Sequence, residues 1–221
     1  MLRGLFVTGT DTSVGKTAVS AALLLRYRAE VPLRYWKPIQ TGIETDDDSL
    51  EVTRLAGCTD GEVFAGGVRL PGAVSPHLAA RRAGTHIAVS RVIDLLRDES
   101  QDRRWIVEGA GGIFAPVNDR ESMLDLIDAL GLPVLVVARS TLGTINHTRL
   151  TVDTLRRRHH RVAGVVMVGP PDEENRTAIE WHAGAEVVGQ MPVFDPLGPD
   201  TLAGWVDGHF DRAGVLFGCL K

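Results

Sequence analysis

An α/β fold, a mostly parallel sheet covered by helices on both faces, is what this sequence predicts, on three observations. Short runs such as Leu5-Phe6-Val7, 134–137 and 162–168 are apolar throughout, as strands buried on both faces are. Between them lie segments whose apolar residues recur at helical spacing. The two kinds alternate along the chain, which calls for right-handed crossovers between parallel strands. No linker, repeat or low-complexity stretch breaks the pattern, so residues 1–221 read as one domain.

Taken in order, Leu5-Phe6-Val7 is a buried strand, followed by a helix with Ala18, Ala21, Ala22 and Leu25 on one face. Leu33-Arg34-Tyr35-Trp36 is a second strand. Residues 48–55 form a short helix ended at Gly57. Val89, Val92, Ile93 and Leu96 stripe another helix. The strand Trp105-Ile106-Val107 leads at once into Glu108-Gly109-Ala110-Gly111, read as a turn. Met123, Leu126, Ile127 and Leu130 stripe a helix ended at Gly131. After the strand 134–137, Leu142, Ile145, Val152 and Leu155 mark a long helix. The strand 162–168, a short strand at 186–189 and a helix near 201–212 complete the series.

The bulk numbers narrow the partners. The 221 residues are 44% hydrophobic and 24% charged, with net charge −4, so no basic surface points to nucleic acid or an anionic membrane. The single basic run, 156–160, falls at a helix end, where cations complement the dipole and face water. Two cysteines, Cys58 and Cys219, sit far apart and outside metal-ligand spacing, which fits a reducing compartment. The N-terminus lacks an apolar stretch of signal-peptide or membrane length, so a cytoplasmic location is expected.

The chemistry starts at Gly9-Thr10-Asp11-Thr12-Ser13-Val14-Gly15-Lys16-Thr17, between the first strand and the first helix. A phosphate-binding loop has two glycines before a Lys-Ser/Thr pair; here five residues rather than four separate the glycines. Backbone N–H groups at a helix start cradle phosphates. Lys16 reaches the β- and γ-phosphates, and the Thr17 hydroxyl takes a Mg²⁺ position. The sequence therefore predicts a P-loop NTPase-like protein that binds a nucleoside triphosphate with Mg²⁺. Such a metal takes one or two carboxylates. Glu108 qualifies, because at the carboxyl end of a buried strand it faces the ligand crevice and not the core. So does the run Asp46-Asp47-Asp48, although an Asp there also suits a helix cap. Lys37, leaving the second strand, is a second positive clamp, and Thr41-Gly42 on the same loop could hydrogen-bond a substrate.

With these residues in view, the chain resembles the dethiobiotin synthetase family. The resemblance rests on GTDTSVGKT (9–17), KPIQTG (37–42), Asp48 with Leu50, SPH (75–77), VEGAGG (107–112) with Pro116, and LGTINHTRLT (142–151), in the family's order over most of the chain. It implies an ATP-dependent ligase of biotin synthesis that carboxylates 7,8-diaminononanoate with CO₂, phosphorylates the carbamate and closes a ureido ring. Lys16 and Lys37 would then stabilise charge on the phosphoryl group and carbamate, and Thr17, Asp48 and Glu108 would hold Mg²⁺. Thr41 would bind the carbamate or amine end. Thr12, Ser13, Val14 and Gly15, with Glu108, Gly109, Ala110 and Gly111, would line the nucleotide. Gly111, Gly143 and Asn146 would touch the substrate, Asn146 its carboxylate, at the interface of a homodimer. His77 and His147 would be structural. Two departures stand out: Ser13 replaces an acidic residue of several relatives, and Val168 an Asn that reads the base. Backbone groups near Val168, Gly169, Pro192 and Val193 are left to contact the base, which implies relaxed nucleotide selectivity.

Two other P-loop functions compete. A cobyrinate-synthase-like synthetase usually carries a glutamine-hydrolysing domain, for which this chain is too short. A partitioning-type switch ATPase has a further lysine inside the P-loop, where this chain reads Thr10-Asp11-Thr12-Ser13-Val14.

Overall fold

The computed structural model describes residues 2–97, 99 and 102–221. The chain runs β1 (Gly4–Gly9), α1 (Lys16–Tyr27), β2 (Leu33–Trp36), β3 (Ile39–Thr41), α2 (Asp48–Ala56), β4 (Val63–Phe64), β5 (Val68–Leu70), α3 (Pro76–Arg82), α4 (Val89–Asp94) and β6 (Arg104–Gly112). It continues through α5 (Met123–Leu130), β7 (Val134–Arg139), α6 (Thr144–Arg157), β8 (Val162–Val168), α7 (Glu173–Ala183), β9 (Val187–Met191), α8 (Pro199–His209) and α9 (Phe217–Leu220). Seven strands form one sheet, ordered β4-β2-β6-β1-β7-β8-β9. Every pairing in it is parallel. β3 and β5 make a separate two-stranded parallel sheet beside it.

The apolar runs account for this arrangement. All six residues of β1 are buried, as a strand at the middle of a two-sided sheet requires. One face is covered by α1, α2 and α8 through residues such as Val19, Leu23, Val52, Leu55 and Leu202. The other is covered by α4, α5, α6 and α7 through Val92, Leu126, Ile127, Val152 and Ile179. Gly57 and Gly131 end α2 and α5 in left-handed conformation, at φ 56 and 64, a conformation glycine adopts without a Cβ penalty. Among the described residues no helix is long and apolar enough to cross a membrane.

The expected elements need four corrections. The segment Glu108-Gly109-Ala110-Gly111 is strand rather than turn: β6 continues to Gly112, pairing Val7 with Glu108 and Gly9 with Gly112. Leu142 does not belong to the helix stripe; α6 begins at Thr144 after Gly143 at φ 94, and Leu142 is fully exposed in the preceding turn. The helix at Val89 stops at Asp94, short of Leu96. The C-terminal helix is Pro199–His209, starting on a proline suited to a first turn and ending before 212. The periodicity also passed over β3, β4, β5, α3 and α7. The strands have only two or three residues, and α7 buries just Ile179 and Ala183 of its eleven.

Candidate active site

β1 carries the chain to Gly9, and the loop to Lys16 turns back over the end of the strand. Ser13 at φ 55 and Gly15 at φ 94 are left-handed. A Cβ on Gly9 would lie 2.5 Å from the Asp11 carbonyl oxygen, and one on Gly15 would lie 3.0 Å from Val168 Cγ1. Both glycines are therefore required by close approach, and the five-residue spacing builds a real loop. Lys16 Nζ donates to the Asp11 carbonyl at 3.1 Å. The Asp11 side chain accepts from the Thr12 N–H at 2.7 Å and pairs with Arg139 at the end of β7. The loop is thus tied to both the sheet and its own helix.

Glu108 is the hub beneath the loop. On β6 it shares a face with Ile106, two residues before it, which faces α1, so its carboxylate also points toward α1. There it is fully buried and accepts from Lys37 Nζ at 2.8 Å, Ser20 Oγ at 2.9 Å and Tyr35 OH at 3.0 Å, with Thr17 Oγ1 3.2 Å away. A buried carboxylate is tolerable only with such donors. Lys37 follows Trp36, the register partner of Val107, and so comes to lie beside Glu108. Its ammonium also meets Asp48 Oδ2 at 2.6 Å and the Gly109 carbonyl at 3.1 Å. Thr17 Oγ1 donates to Asp48 Oδ1 at 2.6 Å. Asp48 opens α2 and faces this cluster, whereas Asp47 caps α2 by accepting from Ser49 N and Leu50 N. The acidic run therefore divides its labour, and Asp48 is the one that reaches the site.

The charges follow from this packing. Burial works to lower the Lys37 pKa, but Glu108 and Asp48 outweigh it and hold it above the ordinary lysine value. Burial works to raise Asp48, but the Lys37 ammonium and the Thr17 hydroxyl hold it below the usual carboxylate range. Lys16 is pushed the other way, down to about 8, first by burial and then by the charge of Lys37. Burial and the Glu108 charge raise Tyr35 well above its usual value, so it donates as a neutral phenol. The chain has three lysines, and the two internal ones, Lys16 and Lys37, both converge here.

A cleft of about 610 Å³ opens over this cluster. Its walls include Thr12, Ser13, Gly15, Lys16, Thr17, Lys37, Thr41, Asp48, Glu108, Ala110 and Gly111. Val14 lies behind the loop, packed in the α1-side core, and Gly109 supplies its carbonyl to Lys37. Other expected residues lie apart from the cleft. Val168 packs against Gly15, and Gly169 against Ser140. Pro192 and Val193 follow β9, with Val193 exposed. Gly143 starts α6, and Asn146 sits on its exposed side. The donor set of one hydroxyl and two carboxylates is the hard oxygen chemistry that suits Mg²⁺. Thr17, Asp48 and Glu108 would hold the ion together with phosphate oxygens.

Comparison with known proteins gives this geometry its context. A family described as an AAA domain matches residues 3–201. An ATP-dependent dethiobiotin synthetase of Paramagnetospirillum magneticum is 46% identical over 92% of this chain and 94% of its own length. One of Agrobacterium fabrum is 37% identical over 95% of each. The chain belongs to the dethiobiotin synthetase family. A biotin biosynthesis bifunctional protein of Bordetella avium carries a synthetase-like stretch that is 43% identical over 92% of this chain and 42% of that protein. Solved structures share the fold alone. A ParA family ATPase from Chlorobium tepidum has a TM-score of 0.60 at 10% identity, covering 93% of this chain and 98% of its own. The MinC:MinD cell division complex of Aquifex aeolicus has a TM-score of 0.54 at 13% identity, covering 92% and 86%.

Two residues of this dethiobiotin synthetase family member escaped the motif reading. Ser20 lies one turn beyond Lys16 on the buried side of α1, and Tyr35 lies on β2 two residues before Lys37, which follows the strand. Helical and strand periods alone could have placed both beside Glu108. The histidines read as structural do not enter the cluster; His77 Nδ1 lies 3.0 Å from Ser75 Oγ.

Proposed function

We propose that this chain is an ATP- and Mg²⁺-dependent dethiobiotin synthase acting on 7,8-diaminononanoate. The observation that carries the reading is Lys37, whose ammonium lies 2.6 Å from Asp48 and 2.8 Å from Glu108 on a cleft also lined by Lys16. One amine nitrogen of the substrate adds to the carbon of CO₂ and loses a proton, giving a carbamate. A carbamate oxygen attacks the γ-phosphorus of ATP, and ADP leaves. The second amine attacks the carbamoyl carbon, inorganic phosphate leaves, and the lost proton leaves a cyclic urea. Thr17, Asp48 and Glu108 would hold Mg²⁺, which would supply charge neutralisation on the phosphates. The chain's part is positioning and charge stabilisation: Lys16 holds the phosphates, Lys37 the carbamate, and Thr41 the amine or carbamate end. Residues 1–221 act as one domain. The substrate carboxylate meets Asn146 and Gly143 of a second copy in a cytoplasmic homodimer. Nothing polar projects from Val168 at the expected base position, so nucleotide selectivity is loose: a coupled assay gives turnover with CTP and GTP as well as ATP.

The deciding experiment is phosphate release with ATP, Mg²⁺ and bicarbonate, with and without the diamine acid. Release that depends on the diamine and matches ring formation is expected. Equal release without the diamine points instead to a switch ATPase.

A further inference from the structure

Asp48 is aimed by its neighbours. Asp47 accepts from Ser49 N at 3.1 Å and Leu50 N at 3.3 Å through Oδ1. Arg69 of β5 grips both oxygens of the same carboxylate, the second by a short ion pair. Across the small sheet, Arg69 is the register partner of Gln40 on β3. The buried Gln40 donates to the Asp46 carbonyl at 2.9 Å. Glu44 of the intervening loop accepts from Gly72 N at 2.7 Å. Both strands of the β3–β5 sheet thus hold the start of α2, and β3 begins just after Lys37. This small sheet, beside the main one, braces the segment that sets the Lys37 ammonium against the Asp48 carboxylate.

We propose that Arg69 is a positioning residue of the metal–nucleotide site, acting through Asp47 to aim the Asp48 carboxylate. The inference rests on the reading of Asp48 as a metal carboxylate. Groups that orient a metal-bound carboxylate typically change metal affinity by tenfold or more. The planar Arg fork, bound to both oxygens, restricts rotation in a way a lysine cannot.

The test is calorimetric binding of a non-hydrolysable ATP analogue to the full chain, in Mg²⁺ and in EDTA. Arg69→Met is expected to weaken binding roughly tenfold in Mg²⁺ and to leave it unchanged in EDTA. Arg69→Lys recovers part of the loss. Asp47→Asn keeps a good helix cap but loses the ion pair, and is expected to match Arg69→Met. The double variant is then no worse than either single one. The signs matter: by Coulomb attraction alone, losing a cation would favour Mg²⁺ and losing an anion would disfavour it, so a fall in both variants marks positioning. Wild-type affinity in both single variants, or equal loss in Mg²⁺ and EDTA, overturns the proposal. Should Arg69→Met fail to fold, Arg69→Gln, which removes the same charge, carries the comparison in its place. If Asp48→Asn binds like wild type in Mg²⁺, the metal reading itself fails, and the proposal with it.

Discussion

Glu108 has no exposed surface, yet three side chains donate to it, and one of them is an ammonium. It holds Lys37 charged and in place, so Lys37 is the residue whose loss should separate binding from chemistry. Lys37→Ala is expected to keep nucleotide affinity within a few fold and to lose turnover by about 10² or more; single-turnover phosphate release beside calorimetry checks it. Lys16 behaves differently. Its folded pKa is about 8 against a usual value of 10.5, so between those values the unfolded chain binds more protons than the folded one, and stability rises with pH. Below pH 8 the whole penalty is present, on the order of 3 kcal/mol for this shift. Lys16→Met is therefore expected to stabilise the nucleotide-free protein at pH 7, with the advantage shrinking as pH climbs from 8 to 10.5. Urea unfolding of both proteins across that range measures it, and a constant gap would refute it.

Elements differ in how plainly the sequence announces them. Helices with full apolar stripes, such as α1 and α5, and strands built on apolar runs, such as β7 and β8, follow from periodicity and burial alone. The P-loop and Lys37 are readable because each sits where a buried strand ends, and a charge there has to face a crevice; Glu108 lies within β6, which runs on to Gly112, and its full burial is not readable. The β3–β5 sheet is not readable this way, since strands of three residues carry no usable period. Nor is the choice between Asp47 and Asp48, because either can cap a helix; the tertiary contacts separate them, Lys37 and Thr17 with Asp48 and Arg69 with Asp47. The turn into α1 is more constrained than its motif suggests. Gly15 combines φ 94 with Val168 Cγ1 at 3.0 Å from a would-be Cβ. Gly15→Ala is expected to cost about 1–3 kcal/mol. Adding Val168→Ala should recover the steric part and leave the conformational part. Thermal unfolding of the single and double variants distinguishes the two.

At the scale of the whole molecule, the P-loop, Lys37 and β6 wall the cleft together with the segments 41–48 and 73–76, while Asn146 lies outside it on α6. Leu142 and Leu150 flank Asn146 four residues either way and are 100% and 61% exposed. An apolar pair so placed suits the interface of the proposed homodimer. Leu142→Asp is expected to shift the sedimentation coefficient to that of a monomer and to raise KM for the diamine acid, with an unchanged unfolding midpoint. A dimer that survives the change would move the interface elsewhere. The lysine count has a consequence of its own. With 24 basic residues of which three are lysines, acylating reagents meet few amines on this protein. Lys37 is held protonated and so inert, whereas Lys16 is partly neutral near pH 8 and therefore nucleophilic. Apart from the two ends of the chain, an acylation footprint should reduce to a single peptide. Its protection by a bound nucleotide would turn one mass-spectrometric peak into a direct reading of how full the site is.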